Sequence, residues 1–406
     1  MTYIKIMRLL SCYFLFLLAA GTKDIPEQIH VAIGDTPTKL IISWSTHKPS
    51  DSTLKIKYQD GWKSFTGSFK NFTDGDNSWC IHSVPVYLLC GKEYVYIVGS
   101  EKSGFSEQIK IKGPPNQEPT KTLFLGDFSF HLGGRDTWDA VKSIASSNSI
   151  HTIIMLGDLA YNLHSKSSTR GDSFMNTLQP VVQSVPLMVT PGNHESFDKY
   201  QNFLSRFQMP NNKIFYTFTA GFVRFVSINT EFFFNNRENL DEMIFYIKDE
   251  LDRTWTDIIK YPWLVVYGHR PMYCESEFRA QACLGQSDVI KQRLEILFSR
   301  YRVDLYVNGH VHNYQRTLPI FEAKSNEGNG NRFEWPWKTI YITNGAAGAE
   351  GENTKVGKRK EGGVVFVQED EYSFGIMSVA NKTHLRWEQI KSKNLEVFDV
   401  FWIVKD

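Results

Sequence analysis

The chain predicts a two-part fold, an all-β sandwich followed by an α/β domain. Three observations predict it. Short alternating apolar runs fill residues 25–112. A proline-rich stretch, Gly113 to Thr120, follows them. Beyond it, apolar strands alternate with helix-like segments to the end of the chain.

The first segment stands apart from both. MTYIKIMR carries Lys5 and Arg8 and no acid, and an apolar run of about 12 residues leads into Ala19-Ala20-Gly21. A basic start, a short apolar run and a small-residue exit make a secretory signal peptide over residues 1–21. The run falls short of the roughly 20 residues that span a bilayer. No later stretch is long and apolar enough to anchor the chain, so no membrane anchor is expected. FWIVKD at the end carries no retention signal, so the chain is expected to be secreted or lysosomal.

Residues 24–112 read as a β-sandwich of immunoglobulin size. KLIISWST alternates at Leu40, Ile42 and Trp44, TLKIKYQ at Leu54, Ile56 and Tyr58, and EYVYIVGS follows Cys90-Gly91. GPPNQEPT, residues 113–120, has three prolines in eight residues and reads as a linker. Residues 121–406 form the second domain, in which TLFLGD, HTIIMLGD, VPLMVTPGNHE, FVRFVSINTE, WLVVYGH and VDLYVNGH are strand-like, with helical stretches such as TWDAVKSIASS between.

Composition agrees with an ordinary globular protein: 42% hydrophobic, 22% charged, net charge +1. That excludes disorder, and with no basic stripe a nucleic-acid partner is not expected. Cys12 lies in the signal; the remaining Cys80, Cys90, Cys274 and Cys283 suit two disulfides in a secreted chain. Local pairing, Cys80 with Cys90 and Cys274 with Cys283, keeps each bridge within one domain. Asn71-Phe-Thr and Asn381-Lys-Thr are candidate glycosylation sites.

The chemistry lies at the strand exits. Gly-Asp127, Gly-Asp158, Gly-Asn193-His194-Glu195, Gly-His269 and Gly-His310-x-His312 each set a polar group behind a glycine. Glycine lets the backbone approach a bound ion closely, and α/β sheets bind ligands outside the carboxyl ends of their strands. If the GHVH stretch is extended, alternate side chains share one side and both imidazoles face one space. With Tyr161 the donors are Asp127, Asp158, Tyr161, Asn193, His269, His310 and His312. Seven donors exceed the four to six that one ion takes and suit two ions about 3.5–4 Å apart. Asp158 is the natural bridge, since Tyr161 follows three residues on. A phenol titrates near 10, so a ligating phenolate calls for a hard ion such as Fe(III), while a divalent ion accepts His and Asn.

These motifs, with GHRPMY after strand WLVVY, resemble the long, two-domain purple acid phosphatases of the calcineurin-like metallophosphoesterase superfamily. PEQIHVAIGD resembles that family's fibronectin type III-like N-terminal domain, and HLRWEQIKSKNLEVFDVFWIVKD its C-terminal end. The resemblance implies a catalytic domain of two packed mixed sheets flanked by helices. It implies Fe(III) on Asp127, Tyr161 and His312, and a divalent ion (Fe, Zn or Mn) on Asn193, His269 and His310, with Asp158 bridging. It implies a secreted acid phosphatase acting on small phosphomonoesters by in-line attack of a metal-bound hydroxide, with His194 as general acid. Two alternatives keep the site: a phosphodiesterase or nucleotide pyrophosphatase, and a weakly active metal-containing binding protein. Departures are the loop Tyr273 to Ser287, which lacks the histidines often found there, and Ser129 where a glycine is common. Phosphate contacts would then fall to Glu275, Arg279, His131 or His164. Arg316 reads as a loop brace.

Overall fold

Alternation separates the two halves of the computed structural model. It describes residues 24–405 apart from 131–132, 148, 213, 236, 276–281, 326–329, 350–354, 356–363 and 369. Residues 1–21, read above as a signal peptide, and His131 and Arg279 lie outside the described residues.

Nine strands build the N-terminal part: β1 (Glu27–Ile33), β2 (Lys39–Thr46), β3 (Thr53–Tyr58), β4 (Gly61–Thr66), β5 (Ser68–Asp74), β6 (Asn77–Tyr87), β7 (Glu93–Ser100), β8 (Gly104–Phe105) and β9 (Ile109–Lys112). They form two antiparallel sheets, β1-β2-β6-β5 and β4-β3-β7-β8 with β9 also on β7. In β3 Leu54 and Ile56 are buried while Lys57 is exposed, and Ile109 and Ile111 alternate with exposed lysines in β9. A sheet with one face on a core and the other in water gives this period of two. His82 of β6 is buried, stacked on Trp44 and held between the hydroxyls of Thr46 and Ser52.

The disulfide expectation needs one correction. Cys274 and Cys283 are bridged, but Cys80 and Cys90 are both free thiols. β6 runs without a break from Asn77 to Tyr87, so Cys80 sits seven residues of extended chain before the strand's end. At about 3.3 Å per residue that separates the two sulfurs by some 20 Å or more. Cys80 instead bonds the Asn71 amide across the β5–β6 pair, and Cys90 the Pro37 carbonyl.

In the second part the strands are β10 (Thr120–Leu125), β11 (Thr152–Met155), β12 (Leu187–Val189), β13 (Tyr216–Ala220), β14 (Val223–Ser227), β15 (Trp263–Tyr267), β16 (Leu305–Asn308), β17 (Tyr314–Thr317), β18 (Arg332–Glu334), β19 (Ile340–Asn344), β20 (Val364–Gln368), β21 (Ser373–Val379), β22 (His384–Lys391) and β23 (Val397–Val404). Among the described residues two seven-stranded mixed sheets result, β12-β11-β10-β21-β22-β23-β18 and β13-β14-β15-β16-β19-β17-β20. β11, β15, β16 and β19 are buried along their whole length. Strands covered on both faces lose the alternation, which is why these read as unbroken apolar runs. Helices Gly134–Ser146, Thr169–Val182, Arg237–Thr256 and Ser287–Tyr301 flank the sheets; no described helix is long and apolar enough to cross a membrane.

Cross-sheet hydrogen bonds join the two layers at one end. Asn344 at the end of β19 donates to the Phe124 carbonyl of β10 at 2.9 Å, and Thr190 after β12 to the Ile228 carbonyl after β14 at 2.9 Å. β10, β11, β12, β15 and β16 all end there, so their five exits open onto one space. The proline-rich stretch is packed rather than loose: Gln117 donates to Gly221, and Gly221 to Pro115. One hydrophobic cluster runs from Ile29 in the sandwich to Ile403 in β23.

Candidate metal centre

Three of the five strand exits, those after β10, β11 and β16, turn sharply through left-handed backbone. Asp127 has φ 57°, Asp158 53°, Tyr161 46° and His310 70°. Non-glycine residues adopt that region rarely, and such strain collects at functional sites. Neighbouring glycines make room. A Cβ on Gly192 would stand 2.3 Å from Asp158 Oδ1, and one on Gly309 2.3 Å from Asp127 Oδ2.

The seven candidate donors fall into two contacting groups. In the first, the Tyr161 hydroxyl lies 3.1 Å from Asp127 Oδ1 and 2.9 Å from His312 Nε2, and His312 Nε2 lies 3.3 Å from Asp127 Oδ1. In the second, His269 Nε2 lies 3.3 Å from Asp158 Oδ2, 3.2 Å from Asn193 Oδ1 and 3.1 Å from His310 Nδ1. Asp158, His269 and His310 each bring a ligand atom within 4.8 Å of the others. The groups are laced together through backbone: Asp127 N–H donates to Gly157, Phe128 N–H to Asp158, and His310 N–H to Asp127 Oδ2 at 2.6 Å. All the donors but Asn193 are buried.

The donor set fits a cation. His269 Nδ1–H donates to the Leu156 carbonyl at 2.8 Å, so the neutral ring aims its Nε2 lone pair at Asp158 and Asn193 oxygens, acceptor against acceptor. Without a metal, a proton must fill the second group. Burial pushes the His269 imidazole down, but Asp158 overrides it and raises it to about 10. Burial pushes the Asp158 carboxyl up, and His269, then His194 and His310, hold it well below the usual carboxylate range. Buried opposite charge of this kind is what a metal ion relieves.

His194 stands at the rim, with its side chain 32% exposed. Its N–H donates to Asp158 Oδ1 at 3.0 Å; its ring Nδ1 lies 2.7 Å from the Asn162 amide oxygen, and Nε2 3.8 Å from Asp158 Oδ2. His164 does not join the donors: it stacks on Phe197 at 4.1 Å. Glu275 is buried against Gln315, and Arg316 forms a two-pronged pair with Asp399 at 2.7 and 2.9 Å. Of the two candidate sequons, Asn71 is exposed on edge strand β5 and Asn381 in the turn between β21 and β22.

Three supports were not read from the sequence. Glu195 accepts the N–H groups of Asp158, Leu159 and Gly192, each at 2.8 Å, tying two ligand loops together. Burial, with the Asp158 charge, raises its carboxyl to about 8 against those donors. Arg270 pairs with buried Glu231 through two 2.7 Å contacts and lies 3.0 Å from His310 Nε2. Asn162 holds the His194 ring. Glu195 stands within Gly-Asn-His-Glu and Arg270 directly after Gly-His269, so their motifs were the available signal.

Residues 120–314 match the family profile described as calcineurin-like phosphoesterase, and residues 338–400 that described as iron/zinc purple acid phosphatase-like protein C. Acid phosphatase type 7 of Homo sapiens is 29% identical over 438 residues, covering 97% of this chain and 96% of its own. Purple acid phosphatase 18 of Arabidopsis thaliana is 26% identical, covering 90% and 81%. The structure of a purple acid phosphatase from yellow lupin (Lupinus luteus) seeds superposes with a TM-score of 0.83 at 21% identity, over 94% of this chain and 75% of the lupin chain.

Proposed function

The chain belongs to the calcineurin-like phosphoesterases of the purple acid phosphatase type, and on that premise we propose that it is a secreted acid phosphatase that splits phosphate monoesters at a two-metal centre. The observation that carries this reading is the convergence of Asp127, Tyr161 and His312 beside Asp158, Asn193, His269 and His310. The first three residues would hold Fe(III) and the last three a divalent ion, with Asp158 shared. Bound there, such ions supply Lewis acidity, lowering the pKa of water and offsetting phosphate charge.

The chain's own residues do the rest. Asn162 accepts from His194 Nδ1–H, which leaves Nε2 facing the site. From Nε2 His194 gives the proton that an alkoxide leaving oxygen needs. The Leu156 carbonyl fixes the His269 ring so that Nε2 is the atom presented. Glu195 clamps the Asp158 and Gly192 turns, keeping both loops from spreading.

The test is one preparation of the secreted chain, with metal analysis, a visible spectrum and an assay of phosphate release. Two metals per chain, a phenolate-to-iron colour that Tyr161→Phe removes, and phosphate release at acid pH are expected. A fully metallated, colourless protein would overturn the tyrosine assignment. A coloured protein that frees no phosphate from aryl or alkyl monoesters would overturn the enzyme.

A further inference from the structure

Far from the metal loops, large apolar side chains crowd one patch. Trp255 is 48% exposed, Trp335 50%, Trp337 60% and Ile259 79%. Trp255, Trp335, Trp337, Ile258 and Pro262 line a groove with Lys382 and Lys405. Arg302 bridges two of the rings, 3.8 Å from the Trp337 centroid and 5.4 Å from that of Trp255. So concentrated an apolar surface calls for a cover.

The cover's identity is written at the groove's edge. Asn381, of the sequon Asn381-Lys382-Thr383, immediately precedes the lining residue Lys382. Its carbonyl accepts from Trp263 Nε1 at 3.0 Å, Lys382 Nζ reaches the Ile259 carbonyl at 2.9 Å, and Lys405 N–H donates to Thr383. The Asn381 amide oxygen is fixed by Thr383 N–H, Thr383 Oγ1 and His384 N–H at 2.9, 3.1 and 2.8 Å. None of these bonds uses Nδ2, the atom a glycan is joined to.

We propose that Asn381 carries an N-linked glycan and that its first sugars lie in the tryptophan groove. The Nδ2 nitrogen attacks C1 of a polyprenyl-diphosphate-linked oligosaccharide. One C–N bond forms, the C1–O bond to the diphosphate breaks, and the amide proton leaves with the lipid diphosphate. The apolar faces of pyranose rings then rest on indole, while Lys382 and Arg302 offer donors to hydroxyls. A sugar rooted at this rim also bars a protein partner from the same groove, which decides between the two occupants. The inference rests on the secretory reading, since only that route meets the donor.

The full chain is expressed in a secreting eukaryotic host beside Trp335→Ala/Trp337→Ala, Asn381→Gln and Thr383→Ala. Peptide mass mapping is expected to show a glycan at position 381 in the first two and none there in the last two. Under native conditions a glycosidase that cuts the sugar core is expected to release the Asn381 glycan about tenfold more slowly from the parent chain than from the tryptophan variant, the factor about 1.4 kcal/mol of seating gives. After denaturation the rates are expected to agree. An unmodified Asn381 in secreted protein, retention of the chain inside the cell, or equal native release rates would each overturn the proposal. Phosphate release is expected to be the same in all four, so its loss from all of them counts against the phosphatase reading and not this one.

Discussion

His194 carries the most sharply testable of the proposed roles. It touches the Asp158 carboxylate through its backbone and Asn162 through its ring, yet it is not among the donors that face one another in the centre. His194→Ala is therefore expected to keep the metals. It should lower kcat on alkyl phosphates by about a hundredfold or more and on aryl phosphates by much less, because a phenolate leaves with little help. Parallel rates on the two ester classes, with metal content measured alongside, check it; equal losses would remove the acid role. At this scale the donors were legible because a glycine beside Asp, Asn or His at a strand exit is a local pattern. Glu195 was not, because its work is done on the N–H groups of Asp158 and Leu159, nearly forty residues away in the chain. Arg270 was hidden for the same reason, its partner Glu231 lying on another strand exit.

The exits themselves are the functional elements. Their turns are tight enough that a methyl group has no place: on Gly192 it would press on Asp158 Oδ1, and on Gly309 on Asp127 Oδ2. Gly192→Ala and Gly309→Ala are expected to fold and to bind metal about 10–100-fold more weakly, the usual result of disturbing what orients a ligand. Metal titration with circular dichroism separates this from unfolding. The strands were legible in order and type because fully buried runs such as WLVVY and half-buried runs such as TLKIKY differ in period. The Cys80–Cys90 pairing failed at the same scale. Nine residues between cysteines suit a bridge when the chain turns back, and β6 does not turn.

Across the whole molecule, the sandwich is bound to the second part beside the loop that carries Tyr161. Helix Thr169–Val182, which follows the Tyr161 loop, packs on β1: Gln179 accepts from Ile29 N–H at 3.0 Å, and Gln28 bonds Asp172. Buried Arg206 donates to Gln28 and to the Ser168 carbonyl, with its guanidinium over Phe72 and Trp79. Arg206→Met is expected to cost about 3 kcal/mol of stability through those lost charged hydrogen bonds, read from denaturant midpoints. A second whole-molecule property follows from His82. Burial lowers its imidazole to about 4, with Asp24 opposing, whereas an unfolded histidine titrates near 6.5. Between those values only the unfolded chain takes up the proton, so stability is full above about pH 6.5 and falls on acidification by on the order of 3 kcal/mol toward pH 4. His82→Gln is expected to flatten the fall of Tm between pH 7 and 4, and an unchanged slope would assign the acid sensitivity elsewhere. Two halves joined by prolines were legible from the sequence. Their contact was not, since it joins Asp74 and Asn77 of the β5–β6 hairpin to Ser168 and Ser167, and no local pattern encodes a pairing so distant. Module swapping between relatives inherits that constraint. A chimera cut at the prolines would graft a foreign hairpin tip onto the backbone that carries Tyr161, and would need the matching tip, not merely a matching junction, to remain a competent enzyme.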